Sequence, residues 1–143
     1  MLVLQILKSK GAAVYTCSPV ETVAAAAAVL HSRRVGALVV MDDQDHVVGI
    51  VSERDVVRVI AQQGHMGLSA PVSACMTRGV IYADPTETVG ELMARMTDRR
   101  IRHLPVVQGD RLAGIVSIGD LVKSKIAESE AEAEELKAYI AHG

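Results

Sequence analysis

The chain repeats itself, and this constrains its fold more than any other feature. Val14 to Met41 lies over Val80 to Val107 at an offset of 66 residues, and His46 to Arg58 lies over Arg111 to Lys123 at 65, with one loop residue deleted between the blocks. Identical pairs include Val14/Val80, Pro19/Pro85, Glu21/Glu87, Thr22/Thr88, Arg33/Arg99, Arg34/Arg100, Leu38/Leu104, Gly49/Gly114, Ser52/Ser117 and Asp55/Asp120. A unit of about 50 residues cannot bury its own apolar surfaces well, so two copies are expected to pack on one another. Pseudo-twofold symmetry and two equivalent clefts between the halves follow as expectations.

Each copy has the same grammar. A short β-rich piece, Val14 to Thr16 or Val80 to Tyr82, runs into Ser18-Pro19-Val20-Glu21 or Asp84-Pro85-Thr86-Glu87, a pattern that reads as an N-cap, a proline at the first helical position and a glutamate at the third. A helix is therefore expected to start there, with apolar residues at helical spacing (Val23, Ala27, Leu30; Val89, Leu92, Met93, Met96) and a basic pair at its C-terminus. Two strands follow, Ala37 to Met41 with Val47 to Ser52, and His103 to Val107 with Leu112 to Ser117, and each hairpin leads into a second helix. The expected class is α/β (α+β), a tandem of β-α-β-β-α units with sheets and helices packed face to face. The expected segmentation is 1–66 for the first repeat with its N-terminal helix, 67–127 for the second, and 128–143 for a Glu-rich C-terminal helix.

Composition narrows the function. Half of the 143 residues are apolar, and 15 basic against 17 acidic residues leave a net charge of −2, so no basic face for nucleic acid is expected. Three Tyr with no Phe or Trp remove aromatic stacking platforms. Cys17 and Cys75 stand far apart with no CxxC or Cys/His cluster, which suits a reducing cytoplasm and gives no metal spacing. The longest apolar run, Val23 to Leu30, is too short to span a bilayer, and the opening MLVLQIL reads as a short helix rather than a signal peptide. No nucleophile and base stand in a recognisable arrangement and no Gly-rich phosphate loop appears, so no enzyme activity is expected.

Ser-x-x-Asp after a strand, at Ser52 to Asp55 and Ser117 to Asp120, has two readings. It is a capping box variant, or it is a place where the helix start meets an anionic group while the carboxylate accepts from vicinal ribose hydroxyls. The cations differ between copies: Arg102 and His103 begin the strand before Ser117, whereas Gly36 and Ala37 stand at the aligned positions of the first copy, which carries Arg54 in the motif itself.

The segments Gly49-Ile50-Val51-Ser52-Glu53-Arg54-Asp55 and Gly114-Ile115-Val116-Ser117-Ile118-Gly119-Asp120, together with Val72 to Arg78 and Ile101 to Val107, resemble the tandem CBS domain, or Bateman module, over roughly residues 1 to 127. The chain is similar to the small stand-alone bacterial type and to the regulatory insert of inosine monophosphate dehydrogenase, whose catalysis does not carry over. The resemblance implies a sensor of adenosine-containing ligands: AMP first, with ADP, ATP, NAD or S-adenosylmethionine as alternatives, and no required cofactor. It further implies that Ser73 to Arg78 approaches Asp55 and Lys8 to Val14 approaches Asp120. The ligand set it implies is Ser52, Arg54, Asp55, Gly36, Ala37, Ser73, Arg78 and Ile81 for one cleft. For the other it is Lys10, Val14, Arg102, His103, Pro105, Ser117 and Asp120. A homodimer is the expected assembly. The Glu-rich tail packs on its own module or a partner subunit, or serves as a charged docking tail for an effector protein. The competing function is a ligand-independent dimerisation and docking module.

Overall fold

The computed structural model describes residues 1–11 and 13–142; Ala12, within the Lys8 to Val14 segment, and Gly143 lie outside the described residues. The chain forms α1 (Val3–Lys10), β1 (Thr16–Cys17), α2 (Val23–Arg33), β2 (Ala37–Met41), β3 (Val47–Ser52), α3 (Glu53–Gln63), two 3-10 turns (Gly64–Ser69 and Val72–Ala74), α4 (Val89–Arg99), β4 (His103–Gln108), β5 (Arg111–Ser117) and α5 (Ile118–His142). It divides into two compact units, Val14–Ile81 and a second made of Met1–Ala13 with Tyr82–Gly143.

In the unit Val14–Ile81, β1 runs parallel to β2 and β2 antiparallel to β3, with Leu38 opposite Val51 and Val40 opposite Gly49. Leu38, Val40 and Val51 are fully buried, and Val23, Ala26 and Leu30 of α2 with Val56 and Val59 of α3 close the core over them. Cys17 lies in this core, and burial, with the Glu21 and Cys75 charges adding, pushes its thiol up to about 11. The segment after α3 completes the unit: Val72, Cys75 and Met76 are buried, and Ile50 and Thr77 exchange two backbone hydrogen bonds of 3.0 and 2.8 Å.

The second unit repeats the plan with one exchange. β4 and β5 pair antiparallel, and Leu104, Val106 and Val116 take the buried places of Leu38, Val40 and Val51. The expected strand at Val80 to Tyr82 is reduced to one parallel bridge, Ala83 with Val106. Here the covering segment is the N-terminus: Val3, Ile6 and Leu7 of α1 are buried within the unit that holds the second repeat. The compact units therefore cut the chain differently from the segmentation 1–66 and 67–127. Backbone pairing is the reason. Val3 and Leu4 donate to the carbonyls of Glu87 and Pro85 at 3.0 Å, as Val72 and Ser73 donate to those of Glu21 and Pro19 at 2.7 and 3.0 Å.

Those same bonds correct the expected helix starts. Ser18 to Glu21 and Asp84 to Glu87 are hydrogen-bonded turns, with each glutamate carboxylate accepting from the first residue's amide. The helices begin later, where Thr22 and Thr88 accept at 3.1 Å from Ala25 and Glu91. A proline one residue into a turn whose carbonyls are taken by another segment forms a corner rather than a first helical turn. At the other end Arg34 and Arg100 adopt the left-handed conformation that ends each helix, and the exposed Arg33 guanidinium stacks 5.1 Å from the Tyr15 ring centre.

The C-terminal Glu-rich helix is not separate. It continues the second helix of the second repeat as one 25-residue α5, since no Gly or Pro interrupts the chain between Asp120 and His142. No helix among the described residues is long and apolar enough to cross a membrane.

Candidate functional site

Both Ser-x-x-Asp segments sit where a strand turns into a helix, and both serines are N-caps. Each helix start also takes a carbonyl from the strand before it: Gly36 accepts from the Glu53 amide at 3.0 Å and Arg102 from that of Ile118 at 2.8 Å. Strand register sets Ala37 opposite Ser52 and His103 opposite Ser117. The two places are thus alike in backbone and differ in side chains.

At α3 the carboxylate of Asp55 is used up. Its Oδ2 accepts from the Ser52 amide at 2.8 Å and the Ser52 hydroxyl at 3.1 Å, while Oδ1 accepts from Arg58 Nη2 at 2.8 Å. Arg58 spans onward to the Cys75 carbonyl at 3.0 Å, so the Ser73 to Arg78 segment approaches Asp55 through a guanidinium. The Asp55 side chain is 6% exposed. Arg54 is exposed beside it, Ala37 is buried in the sheet, and Ile81 and Gly36 are half-buried. Arg78 is also exposed and donates to the Ser73 carbonyl at 3.1 Å. Arg58 was missed as a site residue, although an Asp and an Arg three apart on a helix are the readable signal for such a pair.

At α5 the carboxylate of Asp120 is half free. Its Oδ2 accepts from the Ser117 amide at 2.9 Å and from Lys10 Nζ at 2.7 Å, and among the described residues no hydrogen bond reaches Oδ1. Lys10 also donates to the Ile115 carbonyl at 3.0 Å, which ties the end of α1 to the start of α5. Lys123, the counterpart of Arg58, is exposed and leaves Asp120 alone. The Asp120 side chain is 23% exposed, Arg102 is exposed, His103 half-buried and Pro105 buried in β4. Val14, expected with this group, is half-buried in the other compact unit.

Burial pushes the Asp120 carboxyl up, but hydrogen bonds from Lys10 and Ser117 outweigh it and hold the group below the usual carboxylate range. A depressed folded-state value contributes stability that is present above the unfolded value near 3.8 and is lost as pH falls through the folded one. We therefore expect Lys10→Met to lose less stability than the native chain between about pH 5 and pH 3, read by denaturant melts at both pH values. Parallel losses in the two proteins would reject the coupling.

The CBS domain model matches residues 11–62 and again 72–126. The chain is 38% identical over 146 residues to the CBS domain-containing protein CBSX3, mitochondrial, of Arabidopsis thaliana, covering 96% of this chain and 71% of that protein. Among solved structures it is similar to the CBS-domain containing protein ATU1752 from Agrobacterium tumefaciens, with TM-score 0.85, 43% identity, and 87% of this chain and 92% of that one covered. It is also similar to the CBS domain pair of protein MJ0100 in complex with 5′-methylthioadenosine and S-adenosyl-L-methionine, with TM-score 0.80, 26% identity, and 90% and 98% covered. Two matched domains in one short chain, each ending in the same strand-to-helix segment, place this protein in the CBS-domain family as a tandem CBS pair.

Proposed function

We propose that the chain is a regulatory sensor of an adenosine-containing nucleotide, AMP foremost, held at the start of α5, and that it catalyses no chemical step. The observation that carries this reading is the contrast between the two aspartates. Asp120 keeps one carboxylate oxygen without a hydrogen-bond partner among the described residues, next to the Lys10 side chain, which is one-third exposed, whereas Asp55 has both oxygens occupied. The free oxygen of Asp120 accepts from the vicinal hydroxyls of a ribose, and Lys10 with Arg102 and His103 supplies cations for a phosphate. Methylthioadenosine and S-adenosylmethionine, bound by the MJ0100 pair, share with AMP the adenosine that such a carboxylate would grip.

At α3 the capping reading is favoured, so the residues expected around Asp55, including Ser52, Arg54, Ser73 and Ile81, serve the fold first. One strong nucleotide site per chain is the consequence. The buried, reduced thiols of Cys17 and Cys75 suit a cytosolic setting. Binding acts by favouring whichever arrangement of the chain or its partners holds the ligand more tightly.

A melting screen against AMP, ADP, ATP, NAD and S-adenosylmethionine tests this. Saturation near 100 times the dissociation constant adds about 2.7 kcal/mol of stability for the true ligand. Asp120→Ala is expected to weaken that ligand about tenfold or more, the worth of a hydrogen bond to a charged acceptor, while the circular dichroism of the chain is unchanged. If none of the five compounds raises the melting temperature, the docking-module reading replaces this one.

A further inference from the structure

The last fourteen described residues of α5, Ser129 to His142, are all exposed, although Leu136, Tyr139 and Ile140 are among them at 60%, 76% and 69% exposure. A free helix of this length is marginal in water unless something covers its apolar side. Its own unit covers a different face, through Leu121 and Ser124 near the start. The uncovered residues Val122, Ile126, Ser129, Ala133, Leu136 and Ile140 alternate at spacings of four and three, the pattern of d and a positions in a heptad. Beside the first of them, Met93 of α4 completes a shallow groove of about 380 Å³ with Val122, Ile126, Ser129 and Ala133.

We propose that this stripe pairs with the α5 stripe of a second copy of the chain, parallel and in register. The charges beside the stripe select that occupant and that orientation. In this heptad Lys125 and Glu132 fall at g, and Glu130 and Lys137 at e. In a parallel pair g faces the following e of the other helix, so Lys125 meets Glu130 of the second copy and Glu132 meets its Lys137; both contacts are attractive. In the antiparallel pairing that stacks Val122 on Ile140 and Ile126 on Leu136, Glu130 would face Glu130, Glu132 would face Glu132, and Lys123 would face Lys137. Every one of those contacts is repulsive. Glu128, Glu134 and Glu135 fall at b and c, away from the seam, where Glu128 and Glu134 already pair within the helix with Lys125 and Lys137 at 3.9 and 3.6 Å. The small Ser129 and Ala133 make the middle layers thin, so the pairing is carried by the layers at the two ends and by the flanking charges.

Sedimentation of the full chain over a concentration series tests the proposal. The native chain is expected to dimerise, and Leu136→Asp with Ile140→Asp, both exposed and outside either core, to weaken association about a hundredfold or more with helix content otherwise retained. Glu130→Lys alone should weaken the dimer, and Lys125→Glu added to it should restore affinity, which a mere change in helix propensity would not do. Ile140→Cys should form a symmetric disulfide under mild oxidation, since the antiparallel arrangement would hold the two positions about 27 Å apart. The native cysteines are buried, so the native chain is the uncross-linked control. A monomer at every concentration overturns the proposal. So does a dimer that survives the double Asp variant, or one whose Ile140→Cys form stays uncross-linked.

Discussion

Gly49→Ala is expected to destabilise the chain by about 3 kcal/mol, while the matching change Gly114→Ala costs about 1 kcal/mol or less. The two glycines occupy the same place in the repeats and each is crossed by the segment that completes its unit. A Cβ at Gly49 would lie 2.8 Å from the Thr77 carbonyl oxygen and 2.7 Å from Met76 Sδ. The carbonyl cannot retreat without breaking the paired bonds between Ile50 and Thr77, each worth about 1 kcal/mol, on top of the overpacking cost. At Gly114 the nearest atom is the tip of a side chain, Leu7 Cδ2 at 2.6 Å, which a rotamer change moves aside. At this chain length 3 kcal/mol corresponds to a fall in Tm of about 10 °C. Equal losses for the two variants, read by thermal melts, would show that the backbone contact is not what makes glycine necessary.

Asp55→Ala should be a stability variant and Asp120→Ala a binding variant, although the two residues align. Removing the Asp55 carboxylate leaves the Ser52 amide and one N–H of Arg58 Nη2 without partners, while Nη2 keeps the Cys75 carbonyl, at a position where the carboxylate is almost wholly buried. The expected loss is about 2 to 3 kcal/mol: the capping contribution plus a charge-assisted hydrogen bond, reduced because Arg58 is half exposed and can turn to water. At Asp120 the partners left behind are the Ser117 amide and the partly exposed Lys10, which can turn to water, and the expected loss is about 1 to 2 kcal/mol. Nucleotide affinity should follow the reverse order, retained in Asp55→Ala and weakened in Asp120→Ala. Titration calorimetry on both proteins decides it. Lost affinity in Asp55→Ala with native stability would reverse the assignment of the two sites.

The duplication, the hairpins and the strand-to-helix turns were legible because they are local. Alternation in Val47 to Ser52 and Leu112 to Ser117, and a serine three residues before an aspartate, depend on neighbours in the chain, and the strands and caps lie where that pattern puts them. The helix starts were misread for a physical reason. Ser18 to Glu21 and Asp84 to Glu87 have the residues of an N-terminus, but their carbonyls are claimed by residues 72–73 and 3–4, which no local pattern announces. The difference between the aspartates was half legible. Arg58 against Lys123 is visible in the alignment of the repeats, yet nothing in their spacing says that one cation turns back to its aspartate and the other to solvent.

What the amino-acid sequence determined by itself is the plan of a unit and the fact that it occurs twice, because hydrophobic period, capping residues and turn residues act over a few positions. Which stretch completes which unit is written in no local pattern; the family resemblance implied it, and tertiary contacts are what enforce it. The N-terminal helix joins the second repeat, and the stretch through Thr77 joins the first, because backbone hydrogen bonds and a close approach over a glycine reward partners that are remote in the chain. The same packing brings Lys10 to Asp120 across 110 positions of sequence and, among the described residues, leaves one oxygen of that carboxylate open.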